Sequence, residues 1–207
     1  MNLFYLDDDL DLCAQYHVDK HVGKMQLEAT QLLSTALWVD KYIGFVPRAL
    51  TPDEWAVIKE AKGAEPDIDE RTFTRYLPCH QNHPSAIWVR SSLEHFYWTM
   101  NYVNALDSES LYRGRNPHAS CRECNRLPLP THMQDTGFVR PYPAMPDELK
   151  TGDVISDYRL FYMLDKATFA KWTARDKPWW WDESIAMYDR RYTGLTPAER
   201  RETGYLK

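Results

Sequence analysis

The sequence predicts a mostly α fold: a single-domain helical bundle with a long N-terminal helix and extended irregular loops. Three observations carry that prediction. Apolar residues recur at three- and four-residue intervals in three separate segments, the period of a helix with one buried face. The chain's 207 residues suit one domain, and hydrophobic residues at 43% with aromatics at 14% suffice to fill its core. Between the periodic segments lie stretches rich in Pro, Gly and Arg, which break regular structure.

Taken in order, "MNLFYL" is a short apolar start, and the acidic "DDDLD" after it suits a helix N-terminus, where carboxylates are favoured. A long helix is expected from about Leu10 to Leu37, with Val18, Val22, Met25, Ala29, Leu32, Leu33 and Ala36 inward. Residues 44–70 carry three prolines and an acidic balance and read as a surface excursion. A short helix starts inside it, with Thr51 as cap and Pro52 in the first turn. A second long helix follows "NHPS", from about Ser85 to Leu106, turning Ile87, Leu93, Phe96, Tyr97 and Met100 inward. The Pro- and Cys-rich region from Arg113 to about residue 150 reads as irregular. A third helix is expected from about Val154 to Trp172, burying Tyr158, Phe161, Tyr162 and Phe169. The aromatic tail, 176–207, holds one or two short helices. There are no internal repeats.

Composition narrows the function classes. No run approaches the roughly 20 apolar residues of a membrane span, and the start lacks a basic-then-apolar signal. The expectation is a cytoplasmic protein with no membrane partner. Four cysteines, Cys13, Cys79, Cys121 and Cys124, are too few for a disulfide scaffold at this length and read as buried thiols or metal ligands. The net charge of −5 argues against strong nonspecific binding to nucleic acid. That charge is uneven: residues 1–70 hold 6 basic and 14 acidic side chains, whereas residues 71–126 hold 7 and 4. A polyanion is therefore best met by the middle segment.

The chemistry-bearing pattern lies in the first helix. His17, His21, Lys24, Glu28, Gln31 and Thr35 repeat the rhythm of the apolar stripe, displaced by one residue, or about 100° around the helix. Such groups line the rim between core and solvent, where a cleft wall can form and pKa values shift. The same spacing is also that of an ordinary Lys24–Glu28 surface pair, or of His17 and His21 as metal ligands. In "CHQNHPSAIWVR", His80 and His83 stand before a helix N-terminus, and Arg90 lies two turns on. These are candidate phosphate contacts, unless Asn82 simply caps the helix. "HASCREC" sets His118, Cys121 and Cys124 at the spacing of a zinc half-site, with Cys79, His80 or His132 as a fourth ligand. In "KPWWW", Trp180 and its neighbours either stack on exposed bases or dock the tail on the core. "YPAMPDE" is a rigid loop leading to the third helix.

The run "VDKHVGKMQLE" resembles the first helix of the phage pyrimidine-dimer DNA glycosylases with abasic-site lyase activity, the endonuclease V family. Asp19, His21 and Glu28 match its Asp, His and catalytic Glu in identity and spacing. "NHPSAIWVRSSLEHFYW…LYRGR" is similar to that family's second helical segment, and "DKPWWW" to its C-terminal basic–Pro–aromatic segment. The chain also resembles small tailed-phage proteins that share DKHV-x-KM and H-x-N-H-P, which would place it in a host-cell cytoplasm. The resemblance implies a DNA-acting enzyme, a base-excision glycosylase with abasic-site lyase activity or a related base-modifying enzyme, that needs no cofactor for its chemistry. Glu28 would be its catalytic carboxylate and the amine of Met1 its nucleophile. His17, His21, Lys24, Gln31, His80, His83, Arg90 and Trp180 would contact substrate. Where the family carries arginines beside and after its glutamate, this chain has Leu27 and Gln31, and Asn2 follows Met1. Two other readings stand beside it. One is a noncatalytic module that holds a small nucleotide or a host protein in the same cleft. The other is a metal-dependent hydrolase built on His17, His21, His80 and His83.

Overall fold

The computed structural model describes residues 1–64 and 73–187, and among them it is helical with no strands. The fold is mostly α, as the periodicity predicts. Eight α-helices follow in order: α1 (Leu10–Tyr16), α2 (Asp19–Tyr42), α3 (Pro52–Ala64), α4 (Pro84–Arg90), α5 (Leu93–Tyr112), α6 (Ala119–Cys124), α7 (Val154–Asp165) and α8 (Glu183–Met187). Helix α2 is the central post, packed against α4, α5 and α6, while α1 leans on α5. Its seven-residue stripe from Val18 to Ala36 is at most 1% exposed. Phe96, Tyr102, Val103 and Leu106 of α5 and Tyr158 and Tyr162 of α7 complete that core. A smaller core of Trp38, Val39, Val46, Leu50 and Ile58 seats α3 on the far end of α2.

Three expected helices are shorter or broken, each for a tertiary reason. The first divides at His17 and Val18, whose backbones are extended (ψ 135° and 150°). No proline or glycine stands there. Instead the Asp19 amide donates to the Lys171 carbonyl at 2.8 Å. The free carbonyls at the end of α1 accept from Trp172 Nε1 (Tyr16 O, 3.1 Å) and Arg113 Nη2 (Gln15 O, 2.9 Å). Groups that a continuous helix would satisfy internally are thus satisfied by the C-terminal segment and by Arg113 at the end of α5. The second helix divides at Ser91 and Ser92. The Ser92 hydroxyl caps α5 by accepting from the Glu94 amide, and the Leu93 amide donates to Gln134 O. The restart changes which face is inward: Tyr97 is 40% exposed, and His95 and Thr99 are buried instead. The third helix stops at Asp165, leaving Phe169 in a 3-10 turn, Ala167–Phe169.

Other local expectations stand. Asp9 caps α1, accepting from the amides of Asp11 and Leu12. Thr51 and Glu54 form a reciprocal capping box ahead of α3, with Pro52 at the helix start. The 113–150 region is irregular apart from α6 and one 3-10 turn, Asp147–Leu149. The remainder of the acidic excursion, 65–70, and of the tail, 188–207, lies outside the described residues. No helix among the described residues is long and apolar enough to cross a membrane.

Met1, Asn2 and Phe4 of the first six residues build one wall of a hollow beside α2. The segment runs extended into the core, with Leu3, Phe4, Tyr5 and Leu6 at most 4% exposed. The Cys13 thiol donates to Phe4 O and accepts from the Leu6 amide, and Arg159 Nε donates to Leu6 O. The chain start is thereby laid along α2.

Candidate functional site

One hollow of about 270 Å³ opens where the chain start, α2 and α7 meet. Met1, Asn2 and Phe4 line it from the first segment, and His21, Lys24, Met25 and Glu28 line it from α2. Phe161 and Lys166 face it from the α7 side, and Ala144 closes it from the "YPAMPDE" loop. The three- and four-residue spacings of His21, Lys24 and Glu28 put all three on this wall, as a helical rim requires.

Glu28 sits between two donors. Lys24 Nζ lies 3.1 Å from Oε1, and the Asn2 backbone amide donates to Oε2 at 3.3 Å. Asn2 is itself clamped: Nδ2 donates to Ala144 O at 2.9 Å, and Oδ1 accepts from the Tyr158 hydroxyl at 2.7 Å. This clamp holds the first residue against the carboxylate. His21 stacks on Phe4 at 4.9 Å between ring centroids, and its Nδ1 pairs with the Tyr162 hydroxyl at 2.6 Å. Burial, followed by the charges of His17, Lys166, Lys24 and Lys20, pushes its imidazole down to about 2, so it is neutral at physiological pH. Lys166 stands over the Phe161 ring at 4.6 Å and the Phe4 ring at 5.7 Å.

The loop before α4 borders the same electrostatic neighbourhood. His83 is half-buried and is pushed down to about 4, first by burial, then by the positive chain start and His80, with Glu28 acting in the opposite direction. Its Nδ1 caps α4 by accepting from the Ser85 amide at 3.1 Å. Asn82 instead pairs with both backbone groups of Leu50. His80 is exposed and takes a left-handed backbone, φ 50°.

Several residues read from the sequence as substrate contacts lie elsewhere. His17 is fully buried, its Nδ1 donating to Cys13 O at 2.7 Å and its Nε2 meeting the Tyr102 hydroxyl at 2.8 Å, so it is a core residue. Arg90 is 1% exposed and donates to three backbone carbonyls, those of Val46, Gln81 and Arg48. It clamps a loop, and no face of it is open to a phosphate. Gln31 stands one turn beyond Glu28, outside the hollow's lining. Trp180 packs edge-on to Tyr16 and Tyr162 under Arg159, which docks the tail, whereas Trp179 is 78% exposed. Asp19, the first residue of the motif, pairs with Arg113 and accepts from the Thr173 amide.

In the cysteine loop His118, Cys121 and Cys124 do not converge as a group of three. His118 Nδ1 caps α6 through the Ser120 amide, Cys121 donates to Asn104 Oδ1, and Cys124 is fully buried. Among the described residues no three His, Cys, Asp or Glu side chains converge as a metal-holding group. The same finding, with both His17 nitrogens engaged internally, separates the four histidines of the hydrolase reading.

Asn2, Phe4, Tyr162 and Lys166 belong to the site and were not picked out from the sequence. "MNLFYL" signalled burial alone, and nothing in a lone lysine after a helix says which cavity it borders. Compared with protein-family models, with curated proteins and with solved structures, the chain matches none.

Proposed function

We propose that the chain is a DNA-acting enzyme, a glycosylase with abasic-site lyase chemistry, working in this hollow. One observation carries the reading: the Glu28 carboxylate, His21 and the first residue open into one cavity. The chemistry needs an amine and a carboxylate side by side. The α-amine, less basic than a lysine side chain, attacks C1′ of the nucleotide. The C1′–N bond breaks, and the base departs with its electron pair and a proton. The amine, after losing its proton, is left joined to C1′; the C1′–O4′ bond then breaks as the sugar ring opens, O4′ takes up a proton, and an imine stands at C1′. Glu28 then takes a proton from C2′, and the C3′–O bond breaks to release the strand on its 3′ side. Asn2 is the positioning residue, because its side-chain clamp orients the chain start toward Glu28.

The test uses an oligonucleotide carrying a cyclobutane dimer, with borohydride added to reduce any imine. A covalent adduct on the first residue is expected, located by mass spectrometry of the N-terminal peptide. Glu28→Gln is expected to abolish strand cleavage. Neither adduct nor cleavage from the wild-type chain removes the proposal.

A second reading, a noncatalytic module for a small nucleotide, is favoured by one specific observation. Arg90 and His17, expected as substrate contacts, are engaged inside the fold, while the lysines border a cavity of small-molecule size. Calorimetry separates the two: tight binding of a mononucleotide with no turnover of DNA supports the module.

A further inference from the structure

Hydrogen-bond accounting fixes which nitrogen of His21 carries the proton. The Tyr162 side chain is fully buried, and its hydroxyl lies 2.6 Å from His21 Nδ1. A buried hydroxyl proton needs an acceptor. His21 Nδ1, 2.6 Å away, is the acceptor the described residues provide. Nδ1 therefore carries no hydrogen, and neutral His21 bears its proton on Nε2. His17 is locked the other way, since a carbonyl can only accept: Nδ1–H donates to Cys13 O, and Nε2 accepts from Tyr102. The two imidazoles thus hold opposite tautomers, that of His21 set by a tyrosine and that of His17 by a backbone carbonyl.

For His17 both nitrogens are satisfied within the core. For His21, Nε2 has no hydrogen-bond partner among the described residues, although the residue is only 4% exposed and lines the hollow. An N–H donor on the wall of the hollow is thus held in readiness beside Lys24 and Lys166. The lining contains Glu28 as its carboxylate, and that carboxylate is already bridged by Lys24 and the Asn2 amide. Beside that bridged carboxylate the wall carries the cationic groups of Lys24 and Lys166 and the positive chain start, around a space of about 270 Å³.

We propose that this hollow takes a phosphoryl group, held by Lys24, Lys166 and the Nε2–H of His21, with Tyr162 as the positioning residue that keeps that hydrogen on Nε2. A phosphoryl group supplies several acceptor oxygens and a charge, which lysines and a fixed N–H match. The inference rests on the same hollow as the enzyme reading and names its ligand chemistry, but it requires no turnover. The phosphoryl group could belong to a free nucleotide or to a DNA strand.

Binding is measured by calorimetry with inorganic phosphate, thymidine, thymidine monophosphate and a short single-stranded oligonucleotide, alongside nitrogen-15 NMR of the histidines. Phosphate and monophosphate should bind where thymidine does not. An oligonucleotide that binds much more tightly than the monophosphate assigns the group to a strand, and the reverse assigns it to a free nucleotide. Lys166→Met should weaken phosphate binding about tenfold while leaving the His21 tautomer unchanged. Tyr162→Phe should redistribute the His21 proton between both nitrogens and weaken binding about threefold or more. His17 keeps its tautomer in that variant and reports that the core is intact. Failure of all phosphorylated ligands to bind, equal binding of thymidine, or a His21 carrying its proton on Nδ1 overturns the proposal. A borohydride adduct with no phosphate affinity would sink this inference and leave the enzyme reading standing, and phosphate affinity without an adduct would do the opposite.

Discussion

Single side chains decide which parts of the rim are chemistry and which are scaffold. Arg90 is scaffold: its sequence position after two histidines suggested an anion site, yet its guanidinium is buried against three carbonyls. Burial lowers it to about 10, which still leaves it charged at neutral pH. Replacing it with methionine keeps most of the volume and leaves the carbonyls of Val46, Gln81 and Arg48 without their donor. Hydrogen bonds from a charged donor contribute about 1.5–3 kcal/mol each, and orphaned buried acceptors add to the loss. Arg90→Met should therefore lower unfolding free energy by about 3 kcal/mol in urea titrations, with the folded protein binding phosphate as before. A loss below about 1 kcal/mol would show that the clamp is ornamental. Sequence alone could not separate this arginine from a ligand contact, since a guanidinium satisfied by backbone and one awaiting a phosphate occupy the same kinds of position. His21, Lys24 and Glu28 were legible because they share one helix face, and helix geometry alone brings them together.

At the level of elements, the helices were readable from their apolar period, and their breaks were not. Thr51 and Pro52 announced α3 through local chemistry, so its start was foreseen. The joint between α1 and α2 carries no such local signal, because it is made by residues about 95 to 155 positions away. Arg113 is its pin: its side chain is 1% exposed and pairs with Asp19 at 2.8 Å and Glu109 at 2.7 Å, while Arg175 reaches Glu109 from the C-terminal segment. Removing one member of a buried charge network strands its partners, at a cost of about 3–5 kcal/mol. Arg113→Met should show a loss of that size, and amide exchange should quicken first at His17, Val18 and residues 171–175. Uniform acceleration across α2 and α5 instead would mean that the joint is not a separable unit.

For the whole molecule, the N-terminal segment couples the site to global stability, since Phe4 stacks on His21 and also packs against Tyr158 and Tyr162. That placement was hidden in the sequence: "MNLFYL" states that it wants burial and leaves open against what. The consequence is that the imidazoles beside it are buried neutral. Burial holds His17 at about 3 and His21 at about 2, well below the ordinary value near 6.5 that the unfolded chain has. Below about pH 6.5 the unfolded chain binds protons that the folded one refuses, so stability falls as pH falls, and the full contribution is present only above that value. Each such histidine contributes a slope of about 1.4 kcal/mol per pH unit, so the pair removes roughly 2–3 kcal/mol between pH 7 and 5.5. Carboxylates ionise at lower pH and act mainly below this window. Urea titrations from pH 7.5 to 5 should show this decline, and His17→Gln should flatten it by about one proton even if the variant is less stable at every pH. A stability that stays level or rises on acidification to pH 5 would mean that both imidazoles already take up a proton in the folded protein. The tautomer lock on His21 could not then exist, because a doubly protonated ring has no nitrogen left to accept from Tyr162.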